Sequence, residues 1–294
     1  MSVLLSVEAM SCRFELALEG DDPVRLRSAG EEAISEIDAL DRQLSRFRPE
    51  SDVSWINARA AKEPVKVEPR LFRLLQRAKE ISDATGGAFD ITVAPLIRVW
   101  GFTENECRVP QPEEIEQARS VVGMQHVILD EAEYAVRFDK AGVEIDLGAI
   151  GKGYAIERAV ECLRDAGITR ALLHGGTSTA FGIGKWEMRI AEPPSCASEP
   201  NHKSQIINHK SVVPLHDSSL SVSAVHGRSF TEGGREYGHV IDPRTGEPVF
   251  HTLLAAVWGP SPTDCDALST ALLVLGENWL PEMRARFVGC NGLA

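Results

Sequence analysis

The chain has 294 residues, of which 43% are hydrophobic, so it can bury a substantial core in one large domain or two smaller ones. Its 31 basic and 43 acidic residues give a formal net charge of −12 at pH 7. This charge argues against the broad basic surface that phosphate-backbone binding requires, so we expect no nucleic-acid partner. A small anionic ligand is still compatible, because one or two cations or a helix N-terminus suffice to bind it.

Six cysteines are scattered without a Cys-x-x-Cys pair, which indicates neither a zinc knuckle nor a dithiol redox site. Free thiols in a reducing compartment are the simplest interpretation. No apolar run approaches the roughly 20 residues that span a bilayer, so we expect no membrane span. The N-terminal sequence MSVLLSVEAMSC has no basic region and only a short apolar stretch. We therefore expect a cytoplasmic protein, or a periplasmic one if a signal peptide precedes this sequence.

The hydrophobic patterns predict mixed helices and strands, with no linker that would divide the chain, so we expect a single domain spanning residues 1–294. Helical spacing predicts four helices, over residues 24–44, 70–85, 112–122 and 152–166. Alternation predicts strands over residues 2–19, 141–147, 170–174 and 186–191, and a hairpin over 125–138.

Residues 192–220 differ from the rest of the chain, because Pro, Ser, Asn and His replace the hydrophobic pattern. We interpret this segment as a surface insertion. His202, His209 and His216 recur every seven residues within it, which is compatible with a metal site. Pro214 and the lack of a sustained helical pattern favour a solvated loop instead.

The most informative segment is RSFTEGGREYGHVIDPRTGEP, residues 228–248. His239 stands three residues before the Asp242-Pro243 turn, and a histidine that titrates near neutrality suits a general base presented to a substrate. The alternative is a β-turn in which Asp242 caps its own backbone.

A second motif is DCDALSTALLVLG, residues 264–276, which predicts a helix. Its apolar stripe is formed by Leu268, Leu272 and Leu275. Asp266 and Thr270 are one turn apart near its start, so their oxygens share one face and can bind a hard cation such as Mg²⁺. The alternative is that Asp264 or Asp266 caps the helix and Thr270 bonds back to a carbonyl.

Three glycine-containing motifs complete the set. EIDLGAIGKGYAIE, residues 144–157, predicts a turn before a helix that presents backbone groups and Lys152 to a phosphate or a metal, with a plain tight turn as the alternative. In GGAFDITVAPLIRVWGF, residues 86–102, Asp90 is predicted to be exposed and to contact a ligand. In LLHGGTSTAFG, residues 172–182, paired glycines permit the close approach of a ligand or another backbone.

Together these blocks resemble, in order and approximate spacing, the FAD:protein FMN transferase family, the ApbE-like proteins. The matching blocks are LSRFRPESDVSWIN, GGAFDITVAPLIRVWGF, EIDLGAIGKGYAIE, HGGTSTAFG, HVIDPRTGEPV and DALSTALLVLG. They cover most of the chain outside residues 192–220. The resemblance implies a single α+β domain, ApbE-like and T-fold-related, with an antiparallel sheet core and flanking helices.

The resemblance also implies a reaction and a site. Such enzymes use FAD and Mg²⁺ to transfer the FMN half of FAD onto a Thr or Ser hydroxyl of an acceptor flavoprotein, and they release AMP. Carried onto this sequence, the family pattern makes His239 the candidate catalytic base. The implied Mg²⁺ ligands are the side chains of Asp266 and Thr270 and the main chains of Ala149 and Ser269. The implied flavin-dinucleotide contacts are Met10, Phe47, Ala88, Phe89, Asp90, Asp146, Lys152 and Ile241.

The chain departs from the family pattern in three places. Thr177 follows Gly175-Gly176 where members usually carry Asp, Ser223-Ala224-Val225 stands for the usual Thr-Ser-Gly, and Glu157 replaces the more common Asp. The first two departures are expected near the diphosphate. They keep open an alternative function, a non-catalytic flavin-binding or flavin-donor accessory protein. An FAD pyrophosphatase, in which water replaces the protein hydroxyl, is the related hydrolytic activity.

Overall fold

The computed structural model describes residues 1–103, 106–190, 211–225 and 228–294, which form twelve strands and eight α-helices. The helices are α1 (Pro23–Leu44), α2 (Asp52–Arg59), α3 (Pro69–Ala84), α4 (Ala94–Val99), α5 (Pro112–Arg119), α6 (Gly151–Asp165), α7 (Pro262–Leu275) and α8 (Leu280–Arg286). The strands are β1 (Ser2–Ala9), β2 (Cys12–Glu19), β3 (Val65–Lys66), β4 (Val127–Asp130), β5 (Ala135–Phe138), β6 (Ala171–Gly175), β7 (Thr179–Ile190), β8 (Ser211–Ala224), β9 (Ser229–Glu232), β10 (Arg235–Gly238), β11 (Leu254–Gly259) and β12 (Asn291–Leu293).

A seven-stranded sheet organises the fold, with the strand order β1-β2-β6-β7-β8-β11-β12. Every neighbouring pair in it is antiparallel. Strands β3, β5 and β4 form a second sheet, and β9 and β10 form a separate hairpin. The predicted α+β class with an antiparallel core is confirmed.

Three helices pack as a layer on this sheet. α1 contacts β1 and β2, α7 contacts β8 and β11, and α6 lies between α1 and α7. Apolar residues at helical spacing bury one face of α1, as predicted. α7 differs from its predicted single stripe, because Ala267, Ala271 and Leu273 are buried as well as Leu268 and Leu272. The helix is enclosed by α6 on one side and by the sheet on another, so apolar residues are needed almost all round it.

The N-terminal prediction of one strand over residues 2–19 is wrong. The segment is a hairpin, β1 and β2, joined by a two-residue turn at Met10 and Ser11. Both turn residues have positive φ, 49° and 59°, as a two-residue turn matched to the strand twist requires. Asn-Gly is the usual sequence signal for such a turn, and Met-Ser does not carry it.

The predicted surface insertion at 192–220 is wrong for its last ten residues. Residues 211–220 belong to β8, which pairs with β7 and lies in the middle of the large sheet. Val213 and Leu215 are buried and alternate with the exposed Pro214 and His216. Proline is compatible with this half of β8 because β11 pairs with residues 219–224 instead. The remainder of the predicted insertion, with His202 and His209, lies outside the described residues.

The hairpin predicted over residues 125–138 is confirmed as β4 and β5. The strand predicted over 141–147 is absent from this described segment, although backbone groups of Ile145 and Asp146 are hydrogen-bonded to other parts of the chain. The amide side chain of Asn57 donates to the carbonyl of Ile145 at 3.0 Å and accepts from its N–H at 2.8 Å. The N–H of Asp146 donates to the carbonyl of Ile91. A side-chain amide therefore takes the place of a neighbouring strand, which alternation alone does not predict.

Five cysteines lie among the described residues, and all are free thiols: Cys12, Cys107, Cys162, Cys265 and Cys290. In the part of the chain that the structure describes, no helix is both long and apolar enough to cross a membrane.

α6 and α7 approach each other closely at Gly153, which gives the first prediction. A Cβ there would lie 2.2 Å from the carbonyl oxygen of Pro262 and 2.7 Å from Cβ of Asp266. We expect Gly153→Ala to lower the free energy of unfolding by about 1–3 kcal/mol, because the two helices must separate. Denaturant unfolding followed by circular dichroism measures this change.

Gly151→Ala is the matched control on the same helix. Its Cβ would meet Cβ of Leu147 at 3.9 Å, an ordinary contact. We therefore expect its stability to be unchanged or slightly raised by the helix propensity of alanine. Equal losses in the two variants would contradict the close packing inferred at Gly153.

Candidate active site

A cavity of about 950 Å³ opens where the turn before α6, the first half of α7 and the segment after β10 meet. Its size is near the upper end of the range of small-molecule sites, roughly 300–1,000 Å³. Ten of the thirteen predicted site residues line it: Phe47, Ala88, Asp90, Asp146, Ala149, Lys152, His239, Ile241, Asp266 and Thr270. The structure thus brings together residues that lie more than 200 positions apart in the sequence.

The other three predicted residues do not line this cavity. Met10 lies in the β1–β2 turn, where its N–H donates to Oδ1 of Asp41 at 2.7 Å. Phe89 is a core residue, 1% exposed. Ser269 is fully buried on α7, and its hydroxyl donates to the carbonyl of Asp266 at 2.9 Å. Their predicted contacts with FAD or Mg²⁺ stay predictions.

Asp266 is a buried carboxylate, held from two sides. Its Oδ2 accepts the backbone N–H of Gly153 at 2.9 Å, in the first turn of α6. Its Oδ1 accepts from the hydroxyls of Thr179 at 3.2 Å and Ser221 at 3.3 Å, which belong to the neighbouring strands β7 and β8. The sequence analysis missed both hydroxyls, because they reach Asp266 only through the register of the sheet, where Thr179 is paired with Ser221.

The capping alternative for this helix is wrong. Ser261 is the N-cap of α7, and its hydroxyl oxygen accepts from the N–H of Asp264 at 3.1 Å. The carboxylate of Asp264 is paired with Arg77, with 2.7 Å between Oδ2 and Nη2. Thr270 lies one turn after Asp266, and its Oγ1 is 3.2 Å from Oγ of Ser223. Asp266 and Thr270 both line the cavity.

His239 follows β10 and is held by a single carbonyl. Its backbone N–H donates to the carbonyl of Arg228 at 3.0 Å, and its Nδ1 is 3.2 Å from the same oxygen. Because a carbonyl can only accept, Nδ1 carries the proton of the neutral ring and Nε2 is left as an acceptor. The turn proposed as an alternative is also present, since Oδ1 of Asp242 accepts from the N–H of Arg244.

The pKa of His239 is lowered from its ordinary value, mainly because burial disfavours the charged ring. The hydrogen bond to the carbonyl of Arg228 opposes this shift, while the positive charges of Arg228 and Lys152 add to it. The imidazole is therefore neutral at pH 7 and able to accept a proton.

The glycine-rich turn places Lys152 in the first turn of α6. Its ammonium group donates to the carbonyl of Gly148 at 3.3 Å. The N–H of Gly148 in turn donates to Oδ1 of Asp146 at 2.8 Å. The turn thus places Lys152 at the cavity wall. Binding of an anion there stays a prediction.

Arg46 is a cavity residue that the sequence analysis missed. Its side chain is only 9% exposed, and its Nε lies 2.8 Å from Oδ2 of Asp146. Its Nη2 donates to the hydroxyl of Thr103 at 3.1 Å, and its guanidinium carbon is 4.5 Å from the ring centroid of Phe47. A single arginine gives no spacing signal, so only its place in the block shared with Phe47 could have indicated it.

Asp90 is buried, not exposed as predicted. It is 8% exposed, and its carboxylate accepts from the N–H and the hydroxyl of Thr92, from the N–H of Met124 and from the hydroxyl of Ser82. Burial raises its pKa, although these hydrogen bonds oppose the shift. The carboxylate anchors the loop that follows α3. A ligand contact through this residue stays a prediction.

The departures from the family pattern fall at two places. Thr177 and Ser223 line the cavity. Glu157 lies outside its lining, on α6, where it accepts from the hydroxyls of Ser261 and Thr263 and so ties α6 to the start of α7. Burial raises the pKa of Glu157.

The donors around Asp266 fit a hard cation. Among the described residues, no three His, Cys, Asp or Glu side chains form a metal-binding group. The candidate donors are oxygens: one carboxylate, the hydroxyl of Thr270 and the main chain at Ala149 and Ser269. Mg²⁺ takes such donors and commonly completes its shell with phosphate oxygens of a substrate.

The chain matches the model of the ApbE family over residues 10–290. It is 28% identical over 301 residues to the FAD:protein FMN transferase of Escherichia coli (strain K12), which covers 99% of this chain and 82% of the relative. It is 33% identical over 230 residues to an FAD:protein FMN transferase of Klebsiella pneumoniae (strain 342), covering 78% of this chain and 70% of the relative.

Two solved structures share the fold at 26% sequence identity. The ApbE protein of Thermotoga maritima superposes with a TM-score of 0.87, covering 99% of this chain and 93% of the other. The apo form of the flavinyl transferase ApbE of Pseudomonas stutzeri superposes with a TM-score of 0.82, covering 99% and 90%. Since the family model spans nearly all of the sequence and the fold agrees along its length, the chain belongs to the ApbE family.

Proposed function

We propose that this protein transfers the FMN half of FAD onto a Thr or Ser hydroxyl of an acceptor flavoprotein, with Mg²⁺ as cofactor and AMP as the leaving group. The observation that carries the proposal is the convergence in one cavity of His239, Lys152, Asp266 and Thr270. These residues combine a proton acceptor, a cation and two oxygen ligands. The names of the relatives, FAD:protein FMN transferase, support it.

Each of these residues has a separate role in the transfer reaction. The acceptor hydroxyl oxygen forms a bond to the phosphorus of the FMN half, and the bond from that phosphorus to the bridging oxygen breaks, so AMP departs. Nε2 of His239 takes the hydroxyl proton, because the imidazole is neutral and Nδ1 is already protonated. Lys152 stabilises the negative charge on the diphosphate. Mg²⁺, when bound, would neutralise further charge on the same oxygens.

The far wall of the cavity suits an aromatic ring system. The side chain of Phe47 is 67% exposed and is backed by the guanidinium of Arg46. Ala88 and Ile241 add apolar surface. An exposed aromatic ring beside small and aliphatic side chains is the arrangement on which a flavin or an adenine can stack.

Thr177 is the observation that favours the alternative functions. It lines the cavity as an exposed neutral hydroxyl where the family pattern usually has a carboxylate. A changed group at the cavity wall can alter how the acceptor hydroxyl is received. Water would then take its place and yield FMN and AMP, or FAD would bind without reaction.

The proposed function predicts a covalent product. Purified protein incubated with FAD, Mg²⁺ and a candidate acceptor flavoprotein should raise the mass of the acceptor by one FMN phosphoester and release an equal amount of AMP. Intact-mass spectrometry and chromatography of the nucleotides measure the two products. An acceptor with its target Thr or Ser changed to Ala is the control.

Other products would contradict transfer. FMN and AMP without a mass change on the acceptor would indicate a pyrophosphatase. FAD that binds without releasing AMP would indicate a flavin-binding protein.

The role of His239 predicts a pH dependence. A base acts when deprotonated, so activity should be lost as the pH falls through the pKa of His239. Because that pKa is lowered, the acidic limb of kcat/KM should lie below the ordinary histidine value of about 6.5. His239→Gln should lower kcat about 10²- to 10⁴-fold and remove this limb, while FAD affinity is retained.

His126→Gln is the control for this prediction. Nδ1 of His126 is paired with Asp139 at 3.1 Å, and the residue does not line the cavity. We expect the wild-type pH profile to persist in this variant. An unchanged profile in His239→Gln would rule out the assigned base.

A further inference from the structure

Five hydroxyl side chains lie between the buried carboxylate of Asp266 and the cavity wall. We call them the hydroxyl chain: Thr179, Ser221, Ser223, Ser269 and Thr270. They come from β7, β8 and α7, and their neighbouring oxygens are 2.8–3.3 Å apart. Ser221 and Ser269 are 0% exposed, so their protons must go to protein acceptors.

The direction of each hydrogen bond in the hydroxyl chain follows from the bond that Ser269 makes. The hydroxyl of Ser269 lies 2.9 Å from the carbonyl oxygen of Asp266. Because a carbonyl oxygen can only accept, Ser269 donates its single proton to it. Ser269 then has only lone pairs to offer to Ser223, whose oxygen is 2.8 Å away. Ser223 is therefore the donor in that bond.

The same count of protons determines where the hydroxyl proton of Thr270 points. Once Ser223 has donated to Ser269, its oxygen can only accept from Thr270, 3.2 Å away. The proton of Thr270 thus points into the protein, toward Ser223. The lone pairs of its Oγ1 are left for the cavity.

The carboxylate end of the chain has a matching arrangement. Oδ1 of Asp266 accepts from Thr179 and Ser221, and Oδ2 accepts from the N–H of Gly153. An ionised carboxylate offers about four acceptor positions, so the described residues occupy three of them. One position on Oδ2 is left, on a group whose orientation is already fixed.

We propose that Ser223 and Ser269 are positioning residues that orient the hydroxyl of Thr270, so that its oxygen faces the cavity as an acceptor for a divalent cation. This inference rests on the proposed function, which assigns Thr270 as a ligand, and adds the residues that make it one. The cation would bind between the carboxylate of Asp266 and the hydroxyl oxygen of Thr270, and both ligand groups are oriented before it binds. Ligand groups that are already oriented need no reorganisation when the cation binds, and this raises its affinity.

The test measures metal binding apart from turnover. Mn²⁺ serves as the probe, with ADP as a diphosphate that carries no flavin to transfer, and free Mn²⁺ is followed by electron paramagnetic resonance. In Ser223→Ala the proton of Thr270 loses its acceptor and competes with the metal for the cavity side. We expect Mn²⁺ to bind about 5- to 10-fold more weakly, the effect of one hydrogen bond. Ser223→Thr, which keeps the hydroxyl, should restore the affinity.

Ser219→Ala is the matched control. Ser219 is 0% exposed, lies on the same face of β8, and donates to the carbonyl of Ala180 at 2.8 Å, outside the hydroxyl chain. It should lower the melting temperature about as much as Ser223→Ala and leave Mn²⁺ affinity unchanged. Equal Mn²⁺ affinities in these two variants would contradict the inference.

A double-mutant cycle tests whether Ser223 acts through Thr270. Thr270→Val removes the ligand oxygen, so adding Ser223→Ala to it should weaken Mn²⁺ binding no further. Additive losses would show that Ser223 acts in another way and would overturn the inference. A wild-type protein that binds no Mn²⁺ would contradict the proposed function as well, whereas wild-type binding left intact in Ser223→Ala would contradict this inference alone.

Discussion

The contact between α6 and α7 at Gly153 is the constraint on which the site depends. Glycine has no Cβ, so the Pro262 end of α7 can approach the first turn of α6 closely enough for the N–H of Gly153 to reach Oδ2 of Asp266. A buried carboxylate without donors would be strongly unfavourable. Here it receives one donor from a helix and two from the sheet. The packing of the fold and the chemistry of the site are thus set by one close approach.

The sequence predicted five of the eight described helices, α1, α3, α5, α6 and α7, because their signals are local, and it missed the short helices α2, α4 and α8. Pro23 and Pro69 begin α1 and α3, and the pair Gly86-Gly87 follows the end of α3. Ten of the thirteen predicted site residues also line one cavity, because the motifs that carry them combine glycine turns with polar side chains. The resemblance to the ApbE family supplied their roles, which spacing alone left open.

The misses have physical causes that lie outside any local pattern. β8 was missed because Pro214 and His216 are residue types typical of loops, although they occupy exposed positions of its alternation, and its register is set by pairing with β7 and β11. The hydroxyls of Thr179 and Ser221 meet at Asp266 across 42 residues of sequence, through strand pairing. Arg46 was missed because its role depends on its contacts with Phe47 and Asp146, which are visible only in the folded chain.

The two hydrogen bonds between Asn57 and Ile145 join positions 88 residues apart. An amide can do this because its nitrogen donates while its oxygen accepts, matching the backbone C=O and N–H of one residue. Aspartate has nearly the same shape but no donor, so it would set a negative oxygen against the carbonyl of Ile145. Replacement of the NH₂ group of Asn57 by oxygen, the smallest chemical change to an asparagine side chain, would therefore loosen the segment that carries Asp146. No residue that lines the cavity would itself be changed.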